Sequence, residues 1–480
     1  MTDATARPLR QPADLPGPRG IPVFGNALQI KPQHFHRQLE QWAQTYGSYY
    51  RLRLGRDTAV VTGDHEAVAL ALRDRPHGFR RTPRVREIGL EMGLLPSLFG
   101  SEGDDWQRQR RMVMASFDPG HVKRYFSELT KVADRLTGRW RLAAQQGRDI
   151  DLQADLMRYT VDTIAGLAFG ADVNTLQSDD DVIQRHLDKI FPALNRRMFA
   201  AFPVWRWWTT QADRQLAVSM VEVKRAVHDF IAQARARLAA DPLLREQPGN
   251  LLEAMLVAAD QPDSGITDTA VAGNVLGMLL AGEDTTANTL AWMIHLLWRH
   301  PLALARATEE VRRVTGNLAG NATELTLEHL AALDYVEACA HETMRLKPVA
   351  PLNGMVALRD SVVGDVQLRT GTMLICLTRH DSLAESQLPQ ATQFQPERWL
   401  NQGLPGELSA GAKRTSMPFG AGPRMCPGRY LALLEIKMAI AVLLGRFDIA
   451  AVDTPDGQEA QERLAFTMAP VGLTMRLRQR

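Results

Sequence analysis

Helical spacing dominates the sequence and predicts a mainly α protein with a small β-sheet region near the N-terminus. Three observations carry this. Thr267 to Arg299 is a run of roughly 30 residues, about 45 Å as a helix, with apolar side chains nearly all round, which describes a helix buried in a large protein. Shorter stretches, His34 to Tyr46 and Asp105 to Ala115, repeat at helical spacing; in the first, Phe35, Leu39, Trp42 and Ala43 recur and Gly47 ends the run. Alternating runs at Tyr49 to Leu54 and Thr58 to Thr62, separated by Gly55, Arg56 and Asp57, read as a hairpin.

At 480 residues the chain exceeds the size at which single cores stop growing, so length alone predicts two or more domains. No low-complexity linker or internal repeat divides it. Lys and Arg number 56 against 54 acidic residues, a net charge of +2, which gives no reason to expect nucleic acid as a partner. Cys339, Cys376 and Cys426 lie far apart without a CxxC pair, so neither disulfides nor a cysteine-rich zinc site is expected, and a reducing, cytoplasmic location fits. Residues 1–14 are polar and contain no apolar run of signal or membrane-span length, so a soluble protein without a transmembrane anchor is expected.

Chemistry concentrates in two places. In Pro418 to Glu435 a glycine-rich run leads to Cys426, and Pro427 and Gly428 open a long apolar segment, which places Cys426 at a helix N-terminus. Free N–H groups and the helix dipole there depress a thiol's pKa, leaving a thiolate that is either a nucleophile or a metal ligand. Gly420, Gly422 and Gly428 clear side chains from around it, which suits a flat macrocycle over the sulfur. The second place is the middle of Thr267 to Arg299, where Glu283, Asp284, Thr285, Thr286 and Asn288 interrupt the apolar pattern. They exclude a membrane span, and buried polar residues at such a place are candidates for function.

Phe419, Gly420, Gly422, Arg424, Cys426 and Gly428, read as F-G-x-G-x-R-x-C-x-G, resemble the haem-binding signature of the cytochrome P-450 monooxygenases. The resemblance extends over nearly the whole chain from Leu15. It implies one large helical domain over residues 15–480 behind a polar tail, with heme b (protoporphyrin IX iron) bound by Cys426 as its axial ligand. Arg424 would pair with a haem propionate. Trp106 and Arg110, which alone read as a packed stem and a solvated head, would follow Gly103 as two further propionate donors. Ala281-Gly282-Glu283-Asp284-Thr285-Thr286 matches the family's A-G-x-D-T-T segment, in which Gly282 leaves room for dioxygen and Asp284 and Thr285 deliver protons. Phe419 and Gly428 complete the cofactor-binding set.

Glu342 and Arg345, three apart on a helix, would alone be an ordinary surface ion pair. Followed by Leu346, Pro348 and Pro351, and later by Phe394, Pro396, Glu397, Arg398 and Trp399, they resemble the family's buried network of Glu342, Arg345 and Arg398. The apolar segment Arg81 to Ser101, read as a loop, would roof the substrate pocket with Leu94, Leu95, Leu98 and Phe99. Ala281, and Phe466 and Thr467 from a C-terminal loop, would complete that pocket. One departure stands out: many relatives place a propionate-binding arginine five residues before the aspartate matching Asp360, and this chain has Met355. A cluster of Phe199, Phe202, Val204, Trp205, Trp207 and Trp208 reads as interior packing, a lid or a membrane-touching patch.

By this resemblance the protein is a monomeric haem-thiolate monooxygenase, of bacterial type with microsomal-like motifs, that inserts one atom of dioxygen into a hydrophobic small molecule. No bound flavin or zinc is expected, and a separate ferredoxin, flavodoxin or reductase would supply electrons. It would dock on the face beneath Cys426, where Arg108, Arg111, Lys413 and Arg414 offer positive charge. A peroxide-driven peroxygenase or haem-thiolate isomerase would use the same cysteine loop, and a haem sensor or electron carrier is the non-enzymatic alternative.

Overall fold

The computed structural model describes residues 8–55, 57–117, 119–178, 182–200, 202–316, 324–400 and 406–480. Helices predominate, and those that build the site are α1 (Phe35–Tyr46), α2 (His65–Arg73), α3 (Gly103–Ser116), α4 (Leu152–Phe169), α5 (Asp268–Arg299), α6 (Asp334–Leu346) and α7 (Arg429–Arg446). Strands β1 (Tyr49–Leu54), β2 (Asp57–Thr62), β3 (Phe79–Arg81), β4 (Leu352–Ala357) and β5 (Met373–Leu377) form one sheet in the order β1-β2-β5-β4-β3. The expected hairpin is its first pair, and β4 and β5 join from the second half of the chain, with β2 and β5 parallel. A further hairpin near the C-terminus pairs β6 (Glu462–Ala465) with β7 (Thr467–Pro470).

Helix boundaries follow local chemistry. Gly47, at φ +93°, ends α1 in a conformation that other residues disfavour. The Thr267 hydroxyl accepts the Ala270 N–H at the start of α5, as an N-cap does. Residues Val271 to Leu280 of α5 lie in one apolar cluster and Ala287 to Leu297 in another. The polar middle of α5 therefore falls where two cores meet, and a site there needs no opening in either.

One expectation is corrected. Residues Pro83–Glu91, read as part of a loop, form a helix with proline in its first turn; only Ile88 and Gly89 of it are buried, too few to leave a helical stripe in the sequence. Residues 1–7 lie outside the described residues, but Arg10 forms a bridge to Val366 and its guanidinium contacts Asp365 at 2.6 Å. The aromatic cluster divides: Phe199 packs edge-on against Phe35, and Trp205 donates to Glu91 at 2.9 Å. Trp207 and Trp208 are exposed. Among the described residues no helix is long and apolar enough to cross a membrane.

Candidate active site

The cysteine loop differs in detail from its sequence reading. Helix α7 begins at Arg429 with Gly428 as its N-cap, so Cys426 precedes the helix by two positions more than expected. Its N–H donates to the Phe419 carbonyl at 2.9 Å, and the Gly428 N–H donates to its sulfur. Burial nevertheless pushes the free thiol's pKa up, against that N–H, Arg110 and Arg429, so the expected depression is not found; desolvation outweighs the helix end. The sulfur is deep yet keeps accessible surface, and so borders interior space. The glycines also divide their roles. A Cβ on Gly422 would lie 2.6 Å from the Arg73 Cα, so this glycine lets the loop approach the end of α2, whereas beside Gly420 there is open space.

On α5, Gly277, Met278, Ala281, Gly282, Asp284 and Thr285 retain accessible surface while Leu279, Leu280, Glu283 and Thr286 are buried. Spacing of three and four puts that open stripe on one face. Ala281 faces the space most openly, whereas a Cβ on Gly282 would meet Ile164 of α4 at 2.5 Å; Gly282 serves helix packing first. The Thr285 hydroxyl donates to the Ala281 carbonyl one turn back, at 2.7 Å, within a continuous helix. The Asp284 carboxylate turns elsewhere. It accepts from the Thr467 hydroxyl and, at 2.9 Å, from Asn288 Nδ2, and burial pushes its pKa up against both bonds.

A cluster of cations borders the same space. Arg424 donates to the Ser101 carbonyl at 2.7 Å, pairs with Glu102, and lies 4.7 Å from the Trp106 ring centre. Burial pushes its pKa down to about 10, with Arg75 and Arg110 adding to the effect. Arg81 is held down to about 9 by burial, Arg75 and Arg424. Arg75, Arg81 and Arg424 all keep buried guanidinium nitrogens without partners. Glu102 is the carboxylate among them, so the group carries two positive charges in excess. Arg110 interacts with both Cys426 and Arg424, which ties the thiol and the cations to one space.

Arg75 and Arg81 were not among the candidates read from the sequence. The pairing explains Arg81: it stands directly opposite Met355 in the β3–β4 register, and opposed residues share a face of a sheet. A charge missing from β4 is thus available from β3. Its removal in Arg81→Leu is expected to speed haem transfer to a scavenging acceptor roughly tenfold or more, because a hydrogen bond to a charged group contributes about 1.5–3 kcal/mol. An unchanged transfer rate would show that Arg81 does not hold a propionate.

Glu342, Arg345 and Arg398 come together as expected, with side chains fully buried. Arg345 binds Glu342 through two nitrogens at 2.7 and 2.8 Å and donates to the carbonyls of Ala391 and Gln393. Glu342 also accepts from the Gln395 N–H and the Trp399 indole, each at 2.9 Å. The network pins the segment that leads to the cysteine loop.

Leu94, Leu95 and Leu98 pack against the apolar cluster that holds Val271 to Leu280, with Phe466 stacked on Phe191 at 4.7 Å and edge-on to Phe99 at 5.8 Å. Gly273 of α5 admits the Pro96 carbonyl, and Asn274 accepts the Leu98 N–H at 2.9 Å. Asn274, Phe191, Arg75 and Arg81 escaped the sequence reading; none carries a local motif. Of the expected docking cations, Arg111, Lys413 and Arg414 are exposed, while Arg108 pairs with Asp105 and leans on the Gly265 turn.

These residues fit a flat, metal-bearing macrocycle with two carboxylates: a sulfur bordering interior space, open room beside Gly420, and two uncompensated cations at one side. That is the class of a haem-thiolate protein. The cytochrome P450 family model matches residues 15–476, and the chain belongs to this family. It is 28% identical to cytochrome P450 CYP94D108 of Paris polyphylla, over 96% of this chain and 93% of that protein. It is 26% identical to the self-sufficient cytochrome P450 monooxygenase CYP505E5 of Aspergillus niger, over 96% of this chain and 43% of that protein. The chain therefore spans less than half the length of that relative. The crystal structure of the cytochrome P450DA heme domain superposes with a TM-score of 0.83, covering 99% of each chain at 24% identity.

Proposed function

We propose that the chain is a haem-thiolate monooxygenase that inserts one oxygen atom from dioxygen into a hydrophobic organic substrate. The observation that carries the reading is Arg110, which interacts both with Cys426 and with Arg424 of a cluster that holds two cations in excess. Cys426 would hold the iron, and Arg75, Arg81, Arg424, Trp106 and Arg110 the propionates. Haem, when bound, supplies a redox-active iron whose thiolate ligand favours cleavage of the O–O bond.

The chain's own residues do the rest. Ala281 leaves space on the open face of α5, and the apolar roof excludes water while binding an apolar substrate. Thr285 presents a hydroxyl on that same face, tied to the Ala281 carbonyl so that its oxygen remains free to accept a proton donor. Asp284, deep and of raised pKa, is the acid that can hold a proton one residue away. The Thr285→Ala variant is expected to lower product formed per oxygen consumed by at least roughly tenfold, since a positioned proton donor contributes about 10²–10⁴-fold. Fully coupled turnover in that variant would take Thr285 off the proton path. The reduced, carbon monoxide-bound spectrum tests the class directly, and a non-thiolate band would refute it.

Electrons are assigned to a separate ferredoxin, flavodoxin or reductase. A 27% identical relative from Aspergillus oryzae, of which this chain covers 42%, is named as a bifunctional cytochrome P450/NADPH–P450 reductase, which supports a reductase-type donor. The unpaired cysteines are in keeping with a cytoplasmic location. The substrate class is hydrophobic: fatty acids, terpenoids, steroids and aromatic compounds suit the roof. A relative named carotene epsilon-monooxygenase, from Arabidopsis thaliana and 27% identical, favours including terpenoids in a screen by spin-state shift.

A further inference from the structure

Asp284 is tied to the apolar roof through two adjacent residues. Asp284 has one carboxyl oxygen fixed within its own helix: Oδ1 accepts from Asn288 Nδ2 at 2.9 Å, and Asn288 is fully buried, with its Oδ1 accepting from Gln153 of α4 at 3.1 Å. The other oxygen accepts from the Thr467 hydroxyl, which belongs to the β6–β7 hairpin, 183 positions away in the chain. Thr467 is buried, and the chain behind it is anchored. The Met468 N–H donates to the Val349 carbonyl at 2.8 Å, and the Met468 carbonyl accepts from the Trp292 indole.

On the other side of Thr467 the chain is held differently. Ala465 pairs with Thr467 in the hairpin register, which leaves Phe466 alone at the tip. Its φ is +87°, a region that bulky residues disfavour. Its ring lies stacked against Phe191 and edge-on to Phe99, both in or beside the apolar roof. Phe99 in turn lies under the Arg81 guanidinium, 3.7 Å from its ring centre. The tip is therefore retained by aromatic contacts of the kind an apolar substrate makes, and the residue that follows it holds the acid.

We infer that Phe466 and Thr467 are positioning residues that couple occupancy of the apolar pocket to the carboxyl group of Asp284. With the Phe466 ring in the aromatic cluster, Thr467 holds Asp284 through its hydroxyl. A substrate that takes the place of that ring between Phe191 and Phe99 shifts the tip, and since Met468 is fixed the movement falls on Thr467. Its hydroxyl leaves Asp284 Oδ2, and the freed oxygen can turn toward the open face of α5. The inference deepens the monooxygenase reading and rests on it, since it gives the acid a reason to be held back until a substrate is present.

The test needs no identified substrate. The Asp284 carboxyl band is measured by infrared difference spectroscopy on the full chain, assigned by its loss in Asp284→Asn. Thr467→Val, which removes the donor at nearly constant shape, is expected to shift this band, and Thr467→Ser to restore it. Phe466→Ala, which frees the tip but leaves the hydroxyl in place, is expected to shift the band in the same direction. The double variant with Thr467→Val is expected to shift it no further. Phe466→Leu, which keeps bulk and removes ring stacking, guards against a general loosening by Phe466→Ala and should move the band likewise. A band that stays at its wild-type position in both Phe466 variants would overturn the link. So would a double variant in which the two shifts simply add. Neither readout depends on turnover, so a failed link and a wrong reading of the haem class are told apart by the carbon monoxide spectrum.

Discussion

Replacing Cys426 with alanine is expected to abolish the thiolate-type spectrum of the reduced, carbon monoxide-bound protein and to bring monooxygenation below detection, while the polypeptide stays folded. The second half of that expectation follows from where the sulfur is. Its side chain borders interior space and does not fill a core, so no packed cavity is created by its loss. The backbone that shapes the loop is held by bonds the substitution leaves alone: Cys426 N–H to the Phe419 carbonyl, and the Gly422 approach to α2. Thermal or urea unfolding of the apoprotein should therefore move within roughly 0.5 kcal/mol of the parent, as for sites without a packing role. Retention of the thiolate spectrum would refute the ligand assignment. A large loss of apoprotein stability would show that the cysteine is a structural residue instead.

The opposite pattern is expected at Glu342. Glu342→Gln keeps the shape of the side chain but removes the negative charge that faces two fully buried guanidiniums, Arg345 at 2.7 Å and Arg398 at 3.4 Å. Breaking a buried ion pair by removing one partner costs about 3–5 kcal/mol, because the remaining charge is left without compensation. Set against a total stability of about 5–15 kcal/mol, this removes between about a fifth and all of it. Urea unfolding of apoprotein and haem-loaded protein, together with yield of loaded protein, measures it. Arg345→Lys should not rescue the network. A lysine offers one compact charge, whereas Arg345 spreads bonds over both oxygens of Glu342 and several backbone carbonyls. Wild-type stability in Glu342→Gln would mean that the network is dispensable.

What could be read in advance was what lies close together in the chain. The cysteine loop, the A-G-x-D-T-T segment and the Glu342 to Arg345 pair each occupy a few consecutive residues on one element, so spacing alone places their side chains. The cation cluster could not be read this way. Arg81 gains its place only when β3 pairs with β4 opposite Met355, a meeting of residues far apart in sequence. The same holds for the bond from Thr467 to Asp284, which turns the acid in a direction that no helical periodicity states. Glycines were legible as positions that must be small but not as to what fills the space: for Gly282 it is Ile164, and for Gly422 the backbone of Arg73. The thiol's pKa went the other way from the helix-end argument because the size of a desolvation effect depends on depth, which a sequence does not state.

The contact of Gly422 with the end of α2 has a consequence for how the protein can vary. The cysteine loop rests on Leu72 and Arg73, and Arg75 and Arg81 follow within a few residues of that point. The sulfur and the cations are thus referenced to one short piece of main chain, and a ligand gripped at both would be aligned by a single rigid ruler. The roof draws on other stretches: the segment around Leu94 to Phe99, Phe191 and the hairpin tip at Phe466. Changes in those stretches can remodel what is recognised without disturbing how the ruler is read, so diversification of substrate and conservation of alignment fall on separate parts of the same fold.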